Sequence, residues 1–315
     1  MSLSTPARHA AYGAEVVRRQ LSGRRTDVAG TIFRLGLIAA LAFSISILGV
    51  LLYEVITGSM GVLTGRFGGF LTGTLRSLPE DAGIAQGLRG TFWIGLFVVG
   101  IAFPMGVSAA IYLEEYAPPS RVVRFVDINI RNLAGVPSIV YGILGFAIFV
   151  KTMGSLTGGR TVVAAGVTLA VLVLPIVIIT SAEAIRAVPS GIREAAFGVG
   201  ATGWEVTRHH VLPYAAPGIL TGTVLSLARA LGEAAPLILV GAVQNRLGSN
   251  PALFDLASLR DRFTAMPMVI TTWAGMPQAG FRANTAAAIV VLLVVVLLAN
   301  ATAILLRNRY ERQRS

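Results

Sequence analysis

The chain has 315 residues, 13% of them charged and 54% apolar, with a mean hydropathy of +0.73 and a formal net charge of +11. A soluble domain carries about 25% charged residues, so this composition excludes a soluble globule as well as disordered, collagen-like and coiled-coil chains, and leaves a membrane protein. Cysteine is absent and 25 of the 26 basic residues are Arg, which excludes disulfides and thiolate chemistry and reads as orientation signal and headgroup contact, not nucleic-acid binding.

In chain order, residues 1–30 form a basic cytoplasmic tail, with Arg18, Arg19, Arg24 and Arg25 expected near the headgroups. They do not read as a cleaved signal, because the basic lead and the apolar run after it are both too long. A spanning helix needs about 20 apolar residues. Runs of that size predict six spans, at about 35–56, 90–113, 133–152, 161–182, 214–243 and 283–306, with Glu54 ending the first. The runs are continuous and do not alternate, so they predict helices and not a barrel. The membrane domain is thus expected over 31–306, followed by a cytoplasmic tail at 307–315. The uncharged stretch 263–281 has a short apolar centre between Pro267 and Pro277. It reads as an interfacial or re-entrant piece, with a seventh span as the alternative. With both termini inside, Lys and Arg divide 16 to 9 in favour of the inner side, which predicts cytoplasmic termini.

Catalytic groups are sparse. The three His are His9, His209 and His210, and none has metal-ligand spacing. A near-match to a phosphate loop at 154–161 has Arg160 where Lys is required and no preceding strand, so it reads as a glycine-rich turn. The long loop at 188–213 is more informative. Ser190 is expected to cap a helix through Arg193, Glu194, Ala195 and Ala196, which Gly200 and Gly203 end. A second short helix follows from Trp204 to Leu212, and Pro213 starts the return to the membrane. Spacing alone leaves an amphipathic linker and a docking platform both open.

The pattern Glu194-Ala195-Ala196, Gly200-Ala201, Leu212-Pro213 resembles the coupling loop of binding-protein-dependent ABC importer permeases, with Thr207 and His210 standing where that family has apolar residues. The stretches 132–142 (NLAGVPSIVYG) and 227–237 (LARALGEAAPL), with 112–116 and 182–189, resemble phosphate ABC importer permeases of the PstA type. This resemblance implies an all-α polytopic type I (MetI-like) fold in a bacterial inner membrane, with cytoplasmic coupling helices. It implies no cofactor on this chain, since ATP is bound by a partner. The partners implied are an ATPase dimer (PstB-like), a homologous second permease (PstC-like), an extracytoplasmic phosphate-binding protein (PstS-like), membrane lipid and inorganic phosphate. Glu194, Ala195, Ala196, Gly200, Ala201, Leu212 and Pro213 would meet the ATPase, so the chain itself would be a transport subunit and not an enzyme. Importers of sulfate or another oxyanion, and a standalone secondary anion transporter, remain the alternatives.

Arg229 and Glu233 stand four residues apart inside the fifth apolar run, so they are expected on one helix face. A charge at mid-bilayer costs at least ~2.5–3.5 kcal/mol. Two readings follow: an internal ion pair that locks the bundle, or part of an anion path in which the guanidinium binds phosphate through paired hydrogen bonds. Gly232 and Pro236 beside the pair suit a broken helix.

Overall fold

The computed structural model describes residues 28–243 and 252–312; the first 27 residues, including the four tail arginines, lie outside them, as do 244–251 and 313–315. The described residues are helical with no strand, as expected where lipid cannot satisfy backbone polar groups. The chain divides into two compact units, Met1–Glu54 and Val55–Ser315. The described part of the first is one stretch of helix, residues 28–54, with every side chain exposed. That helix, α1 (Val28–Gly65), continues past Glu54 instead of ending there. A single carboxylate does not break a helix, and Val55, Ile56, Met60, Val62 and Leu63 extend its apolar character.

In the second unit α1 gives way to a short α2 (Phe67–Thr72). The loop that follows is held by Arg66, whose guanidinium donates to the carbonyls of Pro79, Glu80 and Ala82 and to Asn284 Oδ1 at 2.6–2.9 Å. Next come α3 (Ala85–Tyr116), α4 (Arg121–Ala134), α5 (Ser138–Thr152) and α6 (Val162–Arg186). Then follow α7 (Ser190–Gly198), α8 (Gly203–Gly232), α9 (Ala235–Val240), α10 (Met266–Ala274) and α11 (Ala279–Arg312). The tail expected at 307–315 is therefore helical as far as Arg312. Among the described residues five helices (α1, α3, α6, α8 and α11) are long and apolar enough to cross a membrane, and α4 with α5 makes a sixth crossing if the two count as one bent span.

The bundle is built around α6. Of its apolar window 67% is buried within the chain, against 28% for α3 and 11% for α11. It packs on α3, α4, α5 and α8. Close approach is possible because small residues sit at the crossings. A Cβ added at Gly106 would lie 2.6 Å from Val177, one at Gly145 2.3 Å from Thr168, and one at Gly222 2.2 Å from Thr180. Two internal prolines follow widened helical turns: Val98–Ala102 precedes Pro104, and Thr207–Val211 precedes Pro213. Proline lacks the N–H that the regular ladder needs, and a π-type turn absorbs the mismatch without ending the helix.

Three expected elements change. The run at 133–152 is not one helix: its first residues end α4, and α5 starts at Ser138 after a break at 135–137 that bends the chain by 101°. Pro137 explains the break, because it disfavours helix at the residue before it. The run at 214–243 breaks after Gly232 and resumes as α9. The 263–281 stretch holds α10, nine residues long and too short to span. Its Met266, Met268, Val269 and Trp273 are buried against α3 and α11, so the piece expected at an interface or as a re-entrant segment packs inside the bundle.

Candidate functional site

Two regions hold the residues that the sequence singles out. The first is the break in α8. Gly218 packs on Ala184 and Gly222 on Thr180, so α8 and α6 run antiparallel in a fixed register. Carried seven residues on, that register puts Arg229 level with Val173, next to the centre of α6. The Arg229 side chain is 46% exposed within the chain and so faces away from the α6 core.

Glu233 is not on the helix. It is the capping residue after Gly232, with extended backbone (φ −79°, ψ 122°), and Pro236 opens α9 just beyond it. Its carboxylate lies 3.5 Å from Arg229 Nε. The pair expected on one helix face is thus an arginine on the last turn met by a carboxylate from the break. α9 is locked in place by packing on α5: a Cβ at Gly142 would lie 2.7 Å from Pro236, and Leu237 and Val240 are fully buried. Gly241, at φ +101°, ends α9 in a conformation that suits glycine.

Exposure bears on both readings of this pair. A buried lock should be enclosed, yet Arg229 is half open within its own chain, and a pair of that kind contributes only about 0–1 kcal/mol. Facing lipid at mid-depth, the same arginine would cost several times more. The open side of Arg229 therefore fits a polar path or a partner subunit better than lipid.

The second region is the 188–213 loop. Pro189, not Ser190, precedes α7, and no side chain caps that end. Gly200 adopts φ +86°, and its amide and that of Ala201 bond back to the carbonyls of Phe197 and Ala196. Thr202 then forms a reciprocal cap with Glu205. The short helix expected from Trp204 to Leu212 is instead the start of α8, which runs on through Pro213 without a new beginning.

The expected coupling residues divide by face. Glu194, Ala195 and Gly200 are exposed, whereas Ala196 is buried, and Ala201 and Leu212 pack with it against Val206, Val211 and Ile185. Pro213 is half-buried in α8.

Sequence reading missed two features here. One is the clamp under α7. Arg193 donates to Glu115 at 2.7 Å and to the carbonyls of Val188 and Ile185 at 2.7 and 3.0 Å, with the Glu115 side chain only 9% exposed. Arg186 pairs with Glu114 beside it. The adjacent acids at 114–115 were the available signal. The other is an exposed apolar knob of Phe197, Val199 and Trp204 around the Gly200 turn. Three large apolar residues in a loop outside the spans were its signal.

The remaining candidates are minor. The glycine-rich stretch at 154–161 is a helical turn ending in two left-handed glycines, Gly158 and Gly159. Arg260 in the 252–265 loop reaches the Leu156 carbonyl at 3.4 Å. Among the described residues no cluster of three or more His, Asp or Glu could hold a metal.

Comparison with known proteins agrees with this architecture. Residues 102–313 match the family model described as binding-protein-dependent transport system inner membrane component. The chain is 30% identical over 285 residues to the phosphate transport system permease protein PstA 1 of Mycobacterium tuberculosis, covering 89% of this chain and 87% of that one. It is 30% identical over 273 residues to the phosphate transport system permease protein PstC of Mesorhizobium japonicum, covering 78% and 83%. Its fold is similar to a chain of a solved bacterial alginate ABC transporter, with a TM-score of 0.59 at 15% identity over 88% of this chain and 95% of that one. The coupling-loop pattern and the helix order thus have one common explanation: the chain belongs to the family of binding-protein-dependent transport system inner membrane components.

Proposed function

We propose that the chain is the PstA-type permease subunit of an ATP-driven phosphate importer, contributing half of the translocation path. The observation that carries this reading is Arg229: a guanidinium level with the centre of α6, half open, at a helix break, with Glu233 3.5 Å away. A planar guanidinium suits a tetrahedral oxyanion, because two parallel N–H groups can meet two oxygens. Glu233 competes for the same donors, so the anion is held weakly enough to leave again. The break sets Glu233 off the helix axis beside Arg229, and the piece after it, α9, is held on α5. The relatives named as phosphate transport permeases support phosphate as the anion.

The Gly200 turn and its apolar knob are the coupling surface for a separate ATPase subunit. Glu194, Ala195 and Gly200 lie on its exposed side. The Arg193–Glu115 clamp ties α7 to the end of α3, so a push on the knob is delivered to a spanning helix. A second, homologous permease faces the open side of Arg229, a binding protein delivers phosphate from outside, and both termini are cytoplasmic.

The test is phosphate uptake by the reconstituted complex with Arg229→Gln. Normal assembly with uptake reduced at least a hundredfold is expected. Uptake within twofold of wild type would remove Arg229 from the path. Competition by sulfate in the wild-type complex tests the anion itself: inhibition as strong as that by unlabelled phosphate would contradict phosphate selectivity.

A further inference from the structure

The helix that the sequence reading did not separate, α4, carries an arrangement that transport of a solute does not use. Its axis stands at 101° to α5. If α5 crosses the bilayer, α4 lies nearly in the membrane plane. The 15 residues of α5 span about 22 Å, some 8 Å less than the hydrocarbon core. That deficit sets α4 at the boundary between acyl chains and headgroups, the depth of interfacial amphipathic helices. It cannot leave that depth, because only residues 117–120 join it to α3 and residues 135–137 to α5. Tyr141 fixes the bend by donating its hydroxyl to the Leu133 carbonyl at 2.9 Å.

At 100° per residue, α4 divides into three faces. Val123, Asp127, Ile130 and Ala134 are the partly buried face on the bundle. Val122, Phe125, Val126 and Leu133 form an exposed apolar face, with Val122 at 70% and Phe125 at 68% exposure. Arg121, Arg124 and Arg131, with exposed Ile128 and Asn132 among them, form the third, and Asn129 interrupts the apolar one. Arg131 is engaged with Asp127 at 3.1 Å. Arg121 and Arg124 have no ion-pair partner among the described residues.

Both line an open groove of about 490 Å³ with Ser120, Asp127, Glu114 and Arg186. The acids of that groove are already paired, Glu114 with Arg186 and Asp127 with Arg131, so two positive charges remain. They stand in the first turn of α4, where the helix dipole disfavours cations. An anion in the groove relieves both repulsions.

We propose that α4 is an interfacial helix whose Arg121 and Arg124 bind the phosphate of an anionic phospholipid headgroup, with the lipid's acyl chains against Val122, Phe125 and Leu133. A free anion would satisfy the arginines but leave the apolar face in water. Phe125 lies about 40° round the helix from Arg121, so a headgroup at the arginines and an acyl chain on Phe125 can belong to one lipid. Two such contacts are expected to favour an anionic over a zwitterionic lipid by about thirtyfold, equivalent to about 2 kcal/mol.

Two measurements on the purified full chain test this. In native mass spectrometry, wild type should retain phosphatidylglycerol about thirtyfold over phosphatidylcholine. Arg121→Gln with Arg124→Gln should bring that ratio close to one, and the Lys pair should keep most of it. An unchanged ratio in the Gln pair, no preference in wild type, or displacement of the lipid by millimolar inorganic phosphate at constant ionic strength would each overturn the proposal. The second measurement needs only one conservative change. Phe125→Trp in vesicles of brominated phosphatidylglycerol should show tryptophan quenching beyond that of wild type. No added quenching would mean that water or a partner protein covers this face, and would overturn the proposal independently.

Discussion

Arg193 shows how one side chain can set the position of a whole surface. Its guanidinium meets one carboxylate and two carbonyls at a point where α3, α6 and α7 converge. Removing it leaves Glu115, 9% exposed, as a nearly buried charge without its partner. Breaking a buried pair in this way costs about 3–5 kcal/mol, and the 24% exposure of Arg193 argues for the lower end. Arg193→Gln is therefore expected to lower the stability of the purified chain by about 3 kcal/mol in a denaturation series. Adding Glu115→Gln should recover more than half of the loss. A single variant as stable as wild type would mean that the clamp does not hold α7.

Gly200 makes a complementary case, in which space and backbone separate. Nothing lies within 4 Å of a Cβ built there, so a side chain would not clash, but φ is +86°. A residue other than glycine in this conformation costs roughly 1–2 kcal/mol, a local and affordable strain. Gly200→Leu should consequently insert and fold, yet bind the ATPase subunit poorly because the knob of Phe197, Val199 and Trp204 is displaced. Co-purification with the ATPase at wild-type stoichiometry would show that this turn is only a linker.

Among the elements, α6 depends on close contacts that no hydropathy plot contains. Gly145→Val would push a branched side chain into Thr168, where even a Cβ has only 2.3 Å. Overpacking of this kind costs about 1–3 kcal/mol. A drop of that size in unfolding free energy, with α5 and not α8 losing protection in hydrogen exchange, is the expected result. Uniform loss along the bundle would contradict a local role.

The helical class of the protein was legible because uncharged runs of 19 or more residues can only be helices in lipid. What was not legible depended on single residues. Pro104 and Pro213 lie inside helices, each after a widened turn, and Pro175 and Pro217 lie inside helices too, whereas Pro137 stands just before one. Sequence spacing does not distinguish these cases, so most of α4 was read as a loop, its last residues were put in a span, and the start of α8 was read as a separate helix. At the candidate site, the four-residue spacing brought Arg229 and Glu233 together correctly, but it assumed a helix that ends at Gly232. The clamp on Arg193 was hidden because its partner, Glu115, is 78 residues away in sequence.

For the molecule as a whole, the central claim is that the open side of Arg229 belongs to an anion path and not to a structural lock. The charges of the second unit are arranged consistently with that division. Arg66 and Arg193 are saturated by carbonyls and a buried partner, while Arg229 has one loose contact at 3.5 Å. The most direct measurement is phosphate uptake, normalised to assembled complex, in the double variant Arg229→Leu with Glu233→Leu. No charge is left unpaired there, so a purely structural pair would be replaced without loss. The account predicts normal assembly with uptake at background. Uptake equal to wild type from that assembled complex would contradict it.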